Sequence, residues 1–187
     1  VYDEDPFIDE MISYRDVRRI YVDRRDHIWI GGNSGLFRLQ ILNKAFDLEV
    51  MSPRFYKNTG NQFYNSQILD IYEDSFHKIW IGTEGSGLCE YDMKEDSFSW
   101  IKPETGFNKL TVSSIIQDNN GSIWAAGSNG LTKLNRSKNT LKNFSIKDGL
   151  MSDDFNNNTA YKDSSGILYF GSYEGVNYFD PEKTDDQ

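Results

Sequence analysis

Asp118-Asn119-Asn120-Gly121-Ser122-Ile123-Trp124-Ala125-Ala126-Gly127-Ser128-Asn129-Gly130-Leu131-Thr132-Lys133-Leu134 decides the fold. Asn120-Gly121 sits between two apolar runs, Val112–Gln117 before it and Ile123–Ala126 after it. Asn-Gly in that setting is a strong hairpin signal, because both residues tolerate positive φ. Gly127 to Gly130 make a second tight turn, and Leu131-Thr132-Lys133-Leu134 alternates apolar and polar as a half-buried strand does. A third turn over 135–139 leads into a fourth short strand, Leu141–Phe144. The unit is four short antiparallel strands.

The unit recurs. Equivalent blocks of the form Asp-x5-Trp (Tyr in the last) begin at Asp23, Asp74 and Asp163, and the anchors Trp29, Trp80, Trp124 and Tyr169 stand 51, 44 and 45 residues apart. A period in the mid-forties with four strands per unit is the signature of β-propeller blades, so the chain is expected to be all-β. The expected divisions are a lead-in or outer strand of a neighbouring blade over 1–14, then blades over 15–58, 59–108, 109–150 and 151–187. In the first blade the strands are read as Val17–Val22, His27–Ile30, Leu36–Leu39 and Phe46–Val50. In the second they are Ile68–Tyr72, Ile79–Ile81, Leu88–Tyr91 and Phe98–Ile101. The last blade has Ala160–Lys162, Leu168–Phe170 and Val176–Phe179, and lacks a fourth strand. The pattern reads as four consecutive blades of a larger, seven-bladed-type array. Its two end faces then drive self-association, or the ring closes with Phe7–Tyr14 lending an outer strand to the last blade.

The repeated residues have structural roles. Trp29, Trp80, Trp124 and Tyr169 are expected to be buried between neighbouring blades. Gly31, Gly82 and Gly171 let the backbone bend or a neighbour approach closely, and Ala126 takes that place in the third copy, so small size matters there. Asp23, Asp74, Asp118 and Asp163 open the hairpin turns and accept local backbone N–H groups. A calcium role would need several oxygen ligands closely spaced, and the turns at 23–27 and 74–78 do not supply them.

Composition narrows the function. A formal net charge of −9 argues against nucleic acid or anionic lipid as the main partner. The single cysteine, Cys89, rules out an intrachain disulfide and a cysteine zinc cluster. His27 and His77 both fall in hairpin turns and are expected to face solvent, too far apart to share a metal. Nucleophile-elbow, phosphate-loop, His-Glu-x2-His and Cys-x2-Cys patterns are absent, and no recurrent polar exception interrupts the blade pattern. No catalytic residue, metal or cofactor is expected.

With the blades written out, Ile79-Trp80-Ile81-Gly82-Thr83 with Gly87-Leu88, and Ile28-Trp29-Ile30-Gly31 with Gly35-Leu36, closely resemble the two-component regulator propeller repeat. The stretch from Asp148-Gly149-Leu150 through Gly166-Ile167-Leu168-Tyr169-Phe170-Gly171 to Phe179-Asp180-Pro181 resembles the last repeat of such an array. The likeness runs over residues 15 to 181 and departs at Ala125-Ala126 and at Arg24-Arg25-Asp26. It implies the periplasmic sensor region of a membrane-anchored, homodimeric Bacteroidetes hybrid histidine kinase. In such proteins the propeller is followed by a β-sandwich, a membrane helix and the kinase. It also implies an oligosaccharide ligand and no direct membrane contact by this segment.

Three functions compete: a ligand-binding or signal-transmitting sensor module, a packing scaffold with the ligand held elsewhere, and a propeller polysaccharide lyase. The loops at one mouth of the ring nominate ligand-binding residues Asn65, Gln67, Glu84, Asn129, Asn156, Asn157, Asn158, Tyr173 and Glu174. Amides, carboxylates and a ring are what sugar hydroxyls and a pyranose face require. Turns are polar in any case, so scaffold and sensor stay open at this point.

Overall fold

The computed structural model describes residues 16–40, 54–57, 66–102, 106–108 and 111–184. These form four antiparallel sheets, each running outward from an inner strand. The first comprises β1 (Val17–Val22), β2 (His27–Gly32), β3 (Gly35–Gln40) and β4 (Arg54–Lys57). The second comprises β5 (Gln67–Glu73), β6 (Ile79–Glu84), β7 (Leu88–Asp92) and β8 (Ser97–Trp100). The third comprises β9 (Val112–Gln117), β10 (Ile123–Gly127), β11 (Gly130–Asn135) and β12 (Thr140–Phe144). The fourth has three strands, β13 (Phe155–Lys162), β14 (Leu168–Ser172) and β15 (Gly175–Phe179). Two short 3-10 turns, Ile146–Asp148 and Pro181–Thr184, are the helical elements among the described residues.

The outer strand of the first blade is Arg54–Lys57, paired to β3 with Leu36 opposite Tyr56. The stretch Phe46–Val50 read as that strand lies outside the described residues, as do Asn65 and the lead-in over 1–14. β13 is longer than the expected Ala160–Lys162, because it continues through an irregularity between Phe155 and Ala160 toward the axis.

Each of the first three blades presents an anchor face to the next blade, which answers with an apolar face, isoleucine-rich in the second and third blades and Leu168 with Phe170 in the fourth. Trp29, Leu36 and Tyr56 pack on Ile68, Ile71, Ile79 and Ile81 of the second blade. Trp80 and Leu88 pack on Val112, Ile115 and Ile123 of the third. Trp124 and Leu131 pack on Leu168 and Phe170 of the fourth. The three anchor tryptophans, Trp29, Trp80 and Trp124, are essentially fully buried. Burying one such aliphatic side chain stabilises the fold by about 1.5–3 kcal/mol, so each interface is a separate core. Tyr169 departs from the expectation. It is only half-buried, flanked by the exposed rings of Tyr161 and Tyr178, because no further blade covers its face among the described residues. At the other end, Ile20 and Val22 of the first blade are exposed where Ile71 of the second is covered by Trp29.

The glycines act through space. A Cβ on Gly31 would sit 2.3 Å from Ile68 Cγ2, and one on Gly82 would sit 2.6 Å from the Val112 carbonyl oxygen. The next blade's inner strand leaves no room for a methyl group at these two positions.

Candidate functional site

The aspartate block explains its own spacing. Asp118 Oδ1 accepts the amides of Asn120 at 3.0 Å and Ser122 at 2.8 Å, while Oδ2 accepts the Trp124 indole N–H at 2.9 Å. Asp23 and Asp74 repeat this on Trp29 and Trp80, each at 2.9 Å, and Asp163 accepts the Tyr169 hydroxyl at 3.1 Å. One carboxylate therefore closes the hairpin and orients the ring that reaches the next blade. Burial opposes the charge on Asp23, but the Trp29 indole and the His27 and Arg25 amides hold its pKa below the ordinary carboxylate value. His27, expected in solvent, is buried with Nδ1 3.0 Å from Asp23 Oδ2. His77 is exposed as expected, with Nδ1 2.9 Å from Glu73.

A second constellation lies at the axis. Four residues before each repeat aspartate stand Arg19, Asp70, Ser114 and Thr159, all polar. This recurrent polar exception was not recognised in the sequence. Asp70 is 3% exposed and draws on all four blades. Its Oδ2 accepts the Ile115 amide of the third blade at 2.7 Å, and its Oδ1 accepts the Ile71 amide of its own at 2.8 Å. Arg19 of the first blade places Nε 3.1 Å from Oδ1, although that N–H is not aligned on an acceptor. With its amide turned so that nitrogen faces acceptors, Asn158 of the fourth blade donates to Asp70 Oδ1 at 3.1 Å and to the Leu69 carbonyl at 3.2 Å. Burial pushes the Asp70 carboxyl up to about 6, against the lowering pull of Arg19 and the Ile115 and Ile71 amides. Ser114 repeats the theme at the next interface, accepting the Thr159 amide at 2.9 Å and donating to the Asn156 carbonyl at 3.1 Å.

Within each blade the register sets the start of the inner strand beside the turn between the second and third strands, with Val17 opposite Gly32 and Phe155 opposite Ser172 at that end of their sheets. Contacts across that end include Asn33 Nδ2 to Asp16 Oδ2 at 2.6 Å and the Ser66 to Ser86 hydroxyl pair. Gln67 pairs Glu84 across β5 and β6, and its Oε1 is buried without a partner. Asn129 reaches the Asn108 carbonyl at 3.4 Å. Asn157, Tyr173 and Glu174 are exposed, Tyr173 at 89%, and Asn156 is half-buried. Asn158 is drawn into the Asp70 node. The cavities of about 330, 340 and 410 Å³ lie elsewhere, at the rim and at the hairpin end, and contain none of these residues.

Among the described residues no group of three or more acidic, histidine or cysteine side chains is placed to hold a metal, and no helix is long and apolar enough to cross a membrane. Cys89 is fully buried, and burial pushes its thiol well above the usual range.

Small antiparallel sheets packed face to face through their anchor rings, with inner strands converging on a shared axis, define a β-propeller. Residues 65–85, within the second blade, match the family described as Two component regulator propeller. Over 168 residues the chain is 28% identical to a histidine kinase of Formosa agariphila, covering 89% of this chain and 12% of that protein. The extracellular domain of a hybrid two component system from B. thetaiotaomicron superposes with a TM-score of 0.66 at 22% identity, over 92% of this chain and 28% of that one. That of a one component system from the same organism superposes at 0.69 with 18% identity, over 89% and 22%. These two structures share the fold. The chain spans less than a third of each of the three proteins.

Proposed function

We propose that these blades are part of the extracytoplasmic sensor region of a hybrid two-component histidine kinase. In this reading they carry no catalytic activity of their own and hand ligand occupancy on toward a following β-sandwich and a dimeric kinase. The ligand class is a glycan-derived oligosaccharide, met at the mouth by Asn156, Asn157, Tyr173 and Glu174. What supports this reading is that Asn157, Tyr173 and Glu174 are exposed at the proposed ligand-binding end, and that a buried carboxylate, Asp70, ties all four blades together. A ligand pulling on that end would be felt by every blade. The similarity to a histidine kinase and to extracellular domains of two- and one-component systems supports it. Titration calorimetry of the full-length sensor region against an oligosaccharide panel tests it. Asn156→Ala, Asn157→Ala and Tyr173→Ala should each weaken binding, by about 1–3 kcal/mol where a hydrogen bond or stacked ring is lost.

The scaffold reading has its own observation in Asn158. This nominated residue spends its amide on Asp70 and Leu69, and the three cavities described above are lined by other residues. If the three alanine variants leave every affinity unchanged, the blades are packing elements and the ligand sits elsewhere in the array.

A further inference from the structure

Asp70 is surrounded by donors. The Ile71 and Ile115 amides, the Asn158 amide nitrogen and Arg19 Nε face its two oxygens at 2.8, 2.7, 3.1 and 3.1 Å. A carboxylate can accept from all four, whereas a neutral carboxyl also has a proton to give, and that proton needs an acceptor. Burial nevertheless favours the neutral form and pushes this carboxyl up to about 6, against Arg19 and the two backbone amides. Among the described residues the titratable or charged groups that act on it or feel it are Arg19 on β1 and Tyr72 on its own strand. β9 meets it with the Ile115 amide, β13 with Asn158 and β6 with Gly82.

Asn158 can supply that acceptor. A half-turn of its amide exchanges nitrogen for oxygen without moving another atom. In one orientation Nδ2 donates to Asp70 Oδ1 at 3.1 Å and to the Leu69 carbonyl at 3.2 Å, both on the second blade. In the other, Nδ2 lies 3.5 Å from the Arg18 carbonyl oxygen of the first blade, and the amide oxygen takes the place beside Asp70 Oδ1. Two acceptors repel there while Asp70 is ionised, but a protonated Oδ1 donates to the amide oxygen. The Ile71 amide still reaches Oδ1 and the Ile115 amide still reaches Oδ2, so the neutral carboxyl is fully paired. What is given up is the Leu69 bond and the charge that faces Arg19. Asn158 has a φ of 56°, in the left-handed region, within the irregular stretch of β13. Its side chain is exposed and touches the buried carboxyl, so solvent protons have a short way in.

We propose that Asp70 and Asn158 form a proton-operated latch between blades. With Asp70 ionised the Asn158 amide holds the second blade, and with Asp70 protonated it turns to the Arg18 carbonyl of the first. The proton comes from water, and no covalent bond between heavy atoms changes. Arg19 loses its counter-charge in the same step. Arg18, whose carbonyl receives the turned amide, also donates from Nε to Asn33 Oδ1 at 3.2 Å, in the turn between β2 and β3. A change of pH at the axis is thereby passed to a loop of the first blade. The latch operates whether or not these blades bind a sugar.

Nuclear magnetic resonance of the full chain between pH 4 and pH 8 tests the latch. The Asp70 side-chain carboxyl carbon should titrate in this range, and the two Asn158 side-chain amide protons should shift with the same midpoint. Above the midpoint those protons should show Overhauser contacts to Leu69 and Asp70, and below it to Arg18. The ratio of the two populations should change about tenfold per pH unit, as one coupled proton requires. In Asp70→Asn the Asn158 amide protons should not titrate. Contacts that stay the same on both sides of the Asp70 midpoint, a midpoint for the amide protons that differs from it, or a carboxyl that does not titrate in this range would each overturn the proposal. Titration of the Asn158 protons in Asp70→Asn would do the same. The first three readings are made on the wild-type chain, so they decide the matter even if the variant fails to fold.

Discussion

Replacing Asp70 by Asn gives a pH-dependent prediction of defined sign. The Asp70 carboxyl titrates at about 6 in the fold against an ordinary value of 3.8, chiefly because burial disfavours its charge more than Arg19 and two amides favour it. A group whose pKa is raised by folding contributes most stability below its unfolded value, and that contribution is lost as pH rises toward the folded value. Between pH 3 and pH 7.5 wild type therefore loses about 3 kcal/mol through this one group. Asp70→Asn cannot ionise and escapes that loss. At pH 3 the substitution costs whatever its amide forfeits by facing the Ile115 N–H and the Asn158 amide, about 1–3 kcal/mol. By pH 7.5 the difference between variant and wild type should have moved about 3 kcal/mol in the variant's favour, less the cost of leaving Arg19 without its carboxylate. Urea unfolding of both proteins at the two pH values measures it, and carboxylates common to both cancel. A mutational cost that grows between pH 3 and pH 7.5 would refute the reasoning, since it would mean that the ion pair with Arg19 outweighs burial.

Asp118→Ala leaves two turn amides and the Trp124 indole without their acceptor, and should destabilise by about 2–4 kcal/mol in chemical denaturation while its blade-four neighbours lose tryptophan-sensitive packing. Gly82→Ala pushes a methyl group against the Val112 carbonyl oxygen and should cost about 1–3 kcal/mol, seen as a lower urea midpoint. Ile20 and Val22 at one end, and Tyr161 and Tyr178 at the other, are exposed as apolar faces, so light scattering should show concentration-dependent association that Ile20→Asp suppresses.

The blade plan was legible because its determinants are local. An aspartate that accepts the amides two and four residues on and the ring nitrogen six residues on must repeat as Asp-x5-Trp, whatever lies between. The axial node was hidden for the opposite reason. Asp70 draws on residues about 45 to 90 positions away, and the four equivalent positions hold Arg, Asp, Ser and Thr, which share no letter. His27 was misplaced because a turn histidine reads as solvent-facing, whereas here its ring folds back on Asp23 and is covered. Tyr169 keeps the anchor's bond to its aspartate but not its burial, since burial depends on a neighbouring blade and not on the repeat itself. Among the proposed ligand-binding residues, sequence could not show that Asn158, itself exposed, gives its amide to the Asp70 node, nor that Asn157, Tyr173 and Glu174 are exposed as well.

Hydrogen exchange of the full-length sensor region, with and without an oligosaccharide that it binds, tests the sensing claim most directly. The account predicts slower exchange in the segments 154–159 and 172–175 at the mouth, together with the amides of Ile71 and Ile115 that Asp70 holds at the axis. Protection confined to other blades, with these segments unchanged, would contradict it.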